Sequence, residues 1–280
     1  MAREIDALSS SSLKHVRDRW WDVSFTEFLK DNLQPRPGKR ILDVGCGMGT
    51  AEIALGAAPL GAVRLTGVDL LPARAREARV TAASRGIAAS FVVGDALALP
   101  FGGGTFDSTF CVAVLQHLRA PEQALAEFAR VTRPGGRILA VEPDNRARYW
   151  WSSVESGQIA FAQARSLFEA LAKVRGEGSD PAIGPRLPGL FLAQRIEPVA
   201  VHLFPVALSR LGAPVPSVWE ARRRAIVEEL ASVEDEHVTR LGSEYLATLE
   251  RYAAEAAHAG PAFVEVQHTM LFAAIGQRTL

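Results

Sequence analysis

The feature that most constrains the fold is the segment 41–50, which reads Ile-Leu-Asp-Val-Gly-Cys-Gly-Met-Gly-Thr. A short apolar run leads directly into a turn containing Gly45, Gly47 and Gly49, and a helical pattern follows. Glycines let the backbone turn sharply and approach a ligand without a Cβ in the way, and the helix offers N–H groups. Related turns bind dinucleotides and phosphates, so this turn alone predicts a ligand-binding strand–turn–helix unit and leaves the ligand open.

About a hundred residues around this turn alternate between short β-rich runs and helical patterns, which is typical of a parallel sheet covered on both faces. We therefore predict an α/β fold with a doubly wound, Rossmann-like sheet. The turn at Pro134–Gly136 is expected to precede the fifth strand. The predicted strands lie near residues 40–44, 63–69, 89–93, 107–114 and 137–142, and the predicted helices near 49–58, 73–86 and 121–132.

After residue 142 the alternation breaks. Residues 149–175 have a helical pattern, 199–204 and 263–275 are predicted strands, 218–259 are predicted to form two helices, and amphipathic helices are expected within 13–33. We expect a single domain overall. Its four segments are an N-terminal helical cap segment (1–38), a ligand-binding core (39–144), a helical insertion (145–194) and the C-terminal strands of the same sheet with a helical cap insertion (195–280).

Charge and cysteine content exclude several classes of function. Lys plus Arg equals Asp plus Glu at 31 each, so no net field favours nucleic acid or an anionic membrane. Cys46 and Cys111 lack metal or disulfide spacing, which predicts buried thiols in a reducing cytoplasm. No signal-like segment and no apolar run of about 18 residues is found, so we expect no stable membrane insertion. No metal is expected either, because five of the histidines show no ligand spacing: His15, His202, His237, His258 and His268.

Three aspartates lie at the ends of three successive predicted strands. Asp43 precedes the turn by two positions, Asp69 ends the second strand, and Asp95 ends the third. Open α/β sheets bind ligands at this edge, where Asp69 could accept both hydroxyls of a ribose and Asp95 the amine of an adenine. Each aspartate alone could equally be a helix or turn cap. Together with the glycine turn they favour a nucleoside site.

The ligand implied by these residues is a cationic nucleoside. A dinucleotide fingerprint would have Gly or Ala where this chain has Thr50, and Asp43 would lie beside a pyrophosphate. S-Adenosylmethionine carries an ammonium and a sulfonium and no phosphate, so it suits a carboxylate at the mouth of the turn. A nicotinamide oxidoreductase is correspondingly disfavoured.

Residues 40–142 resemble the class I S-adenosylmethionine-dependent methyltransferases, within the group that includes the ubiquinone and menaquinone biosynthesis C-methyltransferases and many natural-product methyltransferases. The motifs that carry the resemblance are Leu42–Thr50, Gly67–Asp69, Gly94–Ala96 with Leu99–Phe101, Phe106–Asp107, Leu115–Leu118 and Arg133–Gly136.

The resemblance implies a seven-stranded sheet whose last strand, here 263–275, is antiparallel. It also implies S-adenosylmethionine as cofactor, with S-adenosylhomocysteine as product. Gly45, Gly47 and Gly49 would lie against the methionine part, and Asp43 would support its amino end. The remaining cofactor residues implied are Asp69 with Leu70 at the ribose, Asp95 with Ala96 around the adenine, and Val112 through its main-chain carbonyl.

Methyl transfer from a sulfonium is an in-line displacement that depends mainly on alignment and on exclusion of water. If the acceptor needs a base, His117 after the fourth strand is the candidate, with a purely structural role as the alternative.

The aromatic residues Trp20, Trp21, Tyr149–Trp151 and Phe161 could line an acceptor pocket or pack helices onto the sheet. The acceptor stays open between a small molecule such as a quinone-like or secondary metabolite and a lipid or peptide; a non-catalytic binding scaffold is the alternative of another class.

Overall fold

The structure is a computed structural model that describes residues 20–56, 63–174, 180 and 182–279. The strands are β1 (Arg40–Val44), β2 (Arg64–Asp69), β3 (Ala89–Val93), β4 (Phe106–Val112), β5 (Thr132–Ser152), β6 (Ala200–Leu211) and β7 (Val264–Gln277). The α-helices are α1 (Val23–Leu33), α2 (Thr50–Gly56), α3 (Pro72–Ser84), α4 (Pro121–Val131), α5 (Glu155–Val174), α6 (Leu187–Ala193), α7 (Pro216–Ala231) and α8 (Glu236–Ala259). Short 3-10 helices cover Leu115–His117, Gly184–Arg186 and Gly260–Ala262.

The strands form a seven-stranded sheet in the order β3-β2-β1-β4-β5-β7-β6. The pairs among β1 to β5 are parallel, and the last strands are antiparallel, which confirms the predicted fold class. The central strand β1 is buried from Ile41 to Val44, as expected for a parallel strand with both faces covered. In the β1–β2 register, Asp43 is the partner of Gly67.

Three of the sequence-based boundaries were wrong. Residues 149–152 were predicted to be helical but end β5, and α5 begins only at Glu155. Reciprocal bonds hold the end of this strand extended: Ser153 N–H donates to the Val264 carbonyl and Val264 N–H to the Ser153 Oγ, both at 2.9 Å. Strand β5 also begins earlier than predicted, because Thr132 pairs with Phe106 of β4 ahead of a register shift. Pro134–Gly136, predicted as a turn before the strand, therefore lies within β5. Strand β6 continues to Leu211.

The described residues divide into two compact units. The larger, here called the sheet unit, lies between residues 21 and 147, between 178 and 204, and from 270 onward. Its main core packs apolar side chains of the central strands against α4 and α6, among them Leu42, Phe128, Ile138 and Phe191. Both cysteine thiols belong to this unit; they are unpaired and buried, as predicted. The four-segment division expected from the sequence stays a prediction, and the part of the amphipathic pattern before residue 20 lies outside the described residues.

The smaller unit, here called the helical unit, contains α5, α7 and α8 with the adjoining parts of β5, β6 and β7. Trp150 and Phe161 are partly buried and pack against its core, and their rings meet edge to face at 4.6 Å between centroids. An ion pair joins α7 to the buried Glu265 of β7: the partly buried Arg222 donates to it through both terminal nitrogens, at 2.6 and 2.9 Å. Tyr252 of α8 also donates to Glu265, at 2.7 Å. No helix among the described residues is long and apolar enough to cross a membrane.

Candidate functional site

The turn after β1 requires glycine at three alternate positions. Gly45, Gly47 and Gly49 have φ values of +73°, +55° and +79°, a backbone region that other residues enter at a cost. A Cβ on Gly45 would also lie 2.4 Å from Cγ2 of Val114, whereas a Cβ on Gly47 would meet no heavy atom within 4 Å. Gly45 is therefore needed for packing, and Gly47 faces open space in which a ligand could approach the backbone.

Asp69, at the end of β2, is hydrogen-bonded to this turn. Its Oδ2 accepts the N–H of Gly47 at 2.9 Å, and its Oδ1 accepts the N–H of Leu71 at 3.0 Å. The residue is buried, while the neighbouring Leu70 is 46% exposed. Each carboxylate oxygen can accept a second hydrogen bond, so Asp69 retains acceptor capacity for a ligand.

Asp43 is buried on the sheet beside two other acidic groups. Burial raises its pKa well above the usual range, and the charges of Glu52 and Asp69 raise it further. The nearby Cys46 thiol has its pKa raised by burial and by the same three carboxyl groups. A cation entering this region would thus relieve a concentration of negative charge.

Asp95 and Ala96 lie where β3 ends. Gly94 N–H donates to the Asp69 carbonyl at 3.0 Å, which ties the ends of β2 and β3 together. Asp95 is exposed, and its Oδ1 accepts the Leu97 N–H at 2.9 Å, the geometry of a local turn. Asp95 therefore lies on the outer part of this sheet edge, whereas Asp43 and Asp69 are buried.

Val112 ends β4 half-buried, and the next residue, Ala113, has a φ of +57°. Left-handed backbone at a residue other than glycine is uncommon and often marks functional sites. Ala113 is held in place because its N–H donates to the Val141 carbonyl at 2.8 Å. The chain is thereby redirected at the point where a main-chain contact to the cofactor was predicted.

His117 is half-buried at the end of a 3-10 helix, and the start of that helix is anchored by a buried carboxylate. Glu142, at the carboxyl end of the paired part of β5, accepts the N–H groups of Val114 at 2.7 Å and Leu115 at 2.6 Å through Oε1. Its Oε2 accepts the N–H of Gln116 at 3.4 Å. Glu142 thus orients the segment that carries His117.

Glu52 and Glu142 were not identified by sequence reasoning, although each left a signal. Glu52 lies three residues before the buried Leu55, on the helix face where apolar side chains are expected. Glu142 directly follows the apolar run Ile138–Val141 at the end of the predicted fifth strand, the same kind of position that drew attention to Asp69.

Comparison with known proteins agrees with this geometry. A family model described as a methyltransferase domain matches residues 42–140. A demethylmenaquinone methyltransferase of Thermus thermophilus is 31% identical over 167 residues, which cover 60% of this chain and 68% of that protein. A tocopherol O-methyltransferase of Arabidopsis thaliana is 37% identical over 137 residues, covering 48% of this chain and 39% of that protein.

Among solved structures, a protein of Bacillus halodurans named only as a candidate methyltransferase superposes with a TM-score of 0.57. The alignment covers 92% of this chain and all of that one, at 16% identity, and so bears on the fold alone. The chain spans about a third to two fifths of the length of the first curated relatives that it matches, 35% to 39%.

Proposed function

Because the chain belongs to the class I S-adenosylmethionine-dependent methyltransferases, we propose that it transfers the methyl group of S-adenosylmethionine to a small-molecule acceptor. The observation that supports this function is that the glycine turn lies directly beside two buried carboxyl groups. Asp69 bonds to Gly47 of the turn, and Asp43 lies close enough for their charges to interact. Such a site suits a nucleoside that is cationic and carries no phosphate.

The cofactor residues have distinct roles in this function. The backbone at Gly47 is open to the methionine part, and Asp43 faces its amino group. Asp69, fixed by two backbone donors, accepts the ribose hydroxyls, with the exposed Leu70 beside it. Asp95 and Ala96 surround the adenine, and the Val112 carbonyl closes the site at the end of β4.

When bound, S-adenosylmethionine supplies an activated methyl group on its sulfonium, so the chain needs chiefly to align the acceptor and exclude water. His117 is the residue proposed to take the acceptor's proton, since an imidazole changes charge near neutral pH. Through its hydrogen bonds to Val114 and Leu115, Glu142 of β5 fixes the position of the 3-10 helix that carries His117.

The acceptor class is supported by the relatives, whose names specify demethylmenaquinone and tocopherol as substrates. A hydroquinone or phenol of that type is the first acceptor to try; a lipid or peptide is the alternative within the same reaction. A non-catalytic cofactor-binding scaffold is the alternative of another class. The two unpaired thiols support a reducing, cytoplasmic location.

The test is calorimetric titration with S-adenosylmethionine and S-adenosylhomocysteine, for the wild type, Asp69→Ala and the exposed control Glu77→Gln. We expect binding in the micromolar range that is lost in Asp69→Ala and kept in the control. Formation of S-adenosylhomocysteine with a panel of hydroquinones and phenols then identifies the acceptor. Absence of binding by folded wild-type protein contradicts the function, and binding without turnover on any acceptor class favours the scaffold.

A further inference from the structure

The buried face of α2 carries a carboxyl group that no neighbour compensates. Glu52 is 2% exposed, and it is buried on the same helix as Ala51 and Leu55. No other residue in the described part of the chain donates a hydrogen bond to either of its oxygens. Burying an ionised carboxylate in this way is strongly unfavourable unless a cation offsets it.

Gly67 provides the space that this carboxyl group occupies. A Cβ built on Gly67 would lie only 2.4 Å from Oε1 of Glu52, so any larger residue would displace it. Gly67 is also the register partner of Asp43 across β1 and β2. Paired residues of neighbouring strands direct their side chains to the same face, about 5 Å apart at Cβ. The Glu52 carboxyl therefore takes the place of a side chain next to that of Asp43.

The groups around this pair are acidic or apolar. Asp69 lies two residues beyond Gly67 and so on the same face of β2, and the Cys46 thiol is beside Glu52 and Asp43. The pKa of the Cys111 thiol on β4 is raised by burial and also by the charges of Glu142 and Asp43. Within the described residues, no lysine or arginine contributes to the pKa of Asp43 or Glu52. The neighbouring helices present only apolar side chains from their buried faces, namely Phe25, Leu29 and Leu33 from α1 and Ala75, Ala78 and Ala82 from α3.

We propose that Glu52 is an electrostatic positioning residue of the cofactor site: it shares one proton with Asp43 while the site is empty, and binding of the cofactor's ammonium group beside Asp43 releases that proton. The carboxyl O–H bond breaks, the proton passes to the solvent, and the ammonium compensates the charge left behind. This role rests on the proposed function, and it makes cofactor affinity depend on pH. Burial raises the pKa of Glu52 to about 8, so the proton is present near neutral pH.

Proton release can be counted by calorimetry in two buffers of different ionisation enthalpy, phosphate and Tris, at about pH 7. We expect wild-type protein to release about one proton on binding S-adenosylmethionine. It should release none on binding 5′-methylthioadenosine, which keeps the adenosine but lacks the amino-acid part. Equal proton release with both ligands would overturn this role for the acidic pair. This comparison uses wild-type protein alone and needs no variant.

The Glu52→Gln variant tests the residue itself. Wild-type affinity for S-adenosylmethionine should rise by up to about tenfold per pH unit below the pKa of the pair, while Glu52→Gln should change less than about twofold. The ligand's own amino group titrates in a similar range, but it does so equally for both proteins. Glu77→Gln removes the same charge from an exposed position on α3 and should behave as wild type.

The outcomes separate this inference from the proposed function. If folded Glu52→Gln binds and releases as many protons as wild type, Glu52 has no such role, although the cofactor site stands. If folded wild type binds no S-adenosylmethionine at all, the proposed function itself fails. If Glu52→Gln does not fold, which circular dichroism reveals, the comparison of the two ligands on wild-type protein decides.

Discussion

Oδ2 of Asp69 accepts the backbone N–H of Gly47 at 2.9 Å, so the carboxylate at the end of β2 and the turn after β1 form one unit. This hydrogen bond therefore joins the residue proposed to bind the ribose to the residue proposed to bind the methionine part. A change at either residue should be felt at the other, which makes this pair the natural starting point for mutagenesis.

Two substitutions of Asp69 should distinguish its effect on stability from its effect on cofactor affinity. Asp69→Ala leaves the N–H groups of Gly47 and Leu71 without their acceptor, and we expect a loss of about 1–3 kcal/mol in the free energy of unfolding. Asp69→Asn keeps one acceptor oxygen and should cost less. Both variants should bind S-adenosylmethionine at least about tenfold more weakly, a loss of about 1.4 kcal/mol. Wild-type affinity in Asp69→Asn would contradict the ribose role.

The glycines of the turn should differ in what they support. Gly45→Ala combines left-handed backbone with a contact of 2.4 Å to Val114, whereas Gly47→Ala meets no atom within 4 Å. Backbone strain should cost about 1–2 kcal/mol in each, and overpacking should add about 1–3 kcal/mol at Gly45 alone. Urea unfolding measures the difference, and Gly45→Ala combined with Val114→Ala should recover part of it.

Gly47→Ala should instead impair the cofactor site. Its new methyl group would project into the open space beside the turn, so we expect weaker binding of S-adenosylmethionine at nearly unchanged stability beyond the backbone cost. If Gly47→Ala binds as wild type, the methionine part does not approach the turn at this residue.

Glu142 should affect turnover more than cofactor affinity. Glu142→Gln removes the charge that three backbone N–H groups share, at Val114, Leu115 and Gln116. Hydrogen bonds to a charged group contribute about 1.5–3 kcal/mol, so the variant should be less stable by a similar amount. We expect a lower kcat because the segment carrying His117 loosens, with little change in cofactor Kd. Glu122→Gln, half-exposed on α4, is the matched control and should leave both unchanged.

Stability should fall with rising pH through Glu52. Its folded pKa of about 8 lies above its ordinary value of 4.5, so the folded state binds the extra proton and this contribution is lost between those two values. The shift corresponds to a few kcal/mol, on the order of 1.4 kcal/mol per unit. Glu52→Gln should therefore gain stability over wild type at about pH 9 and show little difference at about pH 5. Thermal unfolding at the two pH values checks this, and an unchanged difference would show that the carboxyl is not the titrating group.

The ion pair of the helical unit should respond in the opposite direction. Although burial raises the pKa of Glu265, hydrogen bonds and the charge of Arg222 lower it overall, so its contribution is present above the ordinary glutamate value and is lost as pH falls through the lowered value. Glu265→Gln leaves the partly buried Arg222 without its counter-charge and should cost up to about 3–5 kcal/mol at neutral pH. Glu244→Gln, at the exposed pair with Arg240, should cost no more than about 1 kcal/mol. An equal loss of unfolding free energy in Glu265→Gln and Glu244→Gln would show that burial does not determine how much such an ion pair stabilises the fold.

The amino-acid sequence by itself determined the α/β class, the approximate positions of the first five strands along the chain, and the glycine turn with its three aspartates. These are local features. Strand and helix periodicity, the need for glycine at positive φ, and a carboxylate at a strand end are each set by a few consecutive residues. The burial of both cysteines was also correctly expected.

Tertiary structure alone decided which distant groups share an environment. The β1–β2 register places Gly67 beside Asp43, and only then does Glu52 of α2 become the neighbour of Asp43. Likewise Glu142 of β5 accepts the N–H of Leu115, which follows the neighbouring strand β4. The bonds between Ser153 and Val264 hold the end of β5 extended although residues 149–152 have a helical pattern. Such contacts join residues far apart in the chain, so no local pattern records them, and the pKa of a buried carboxyl depends on them entirely.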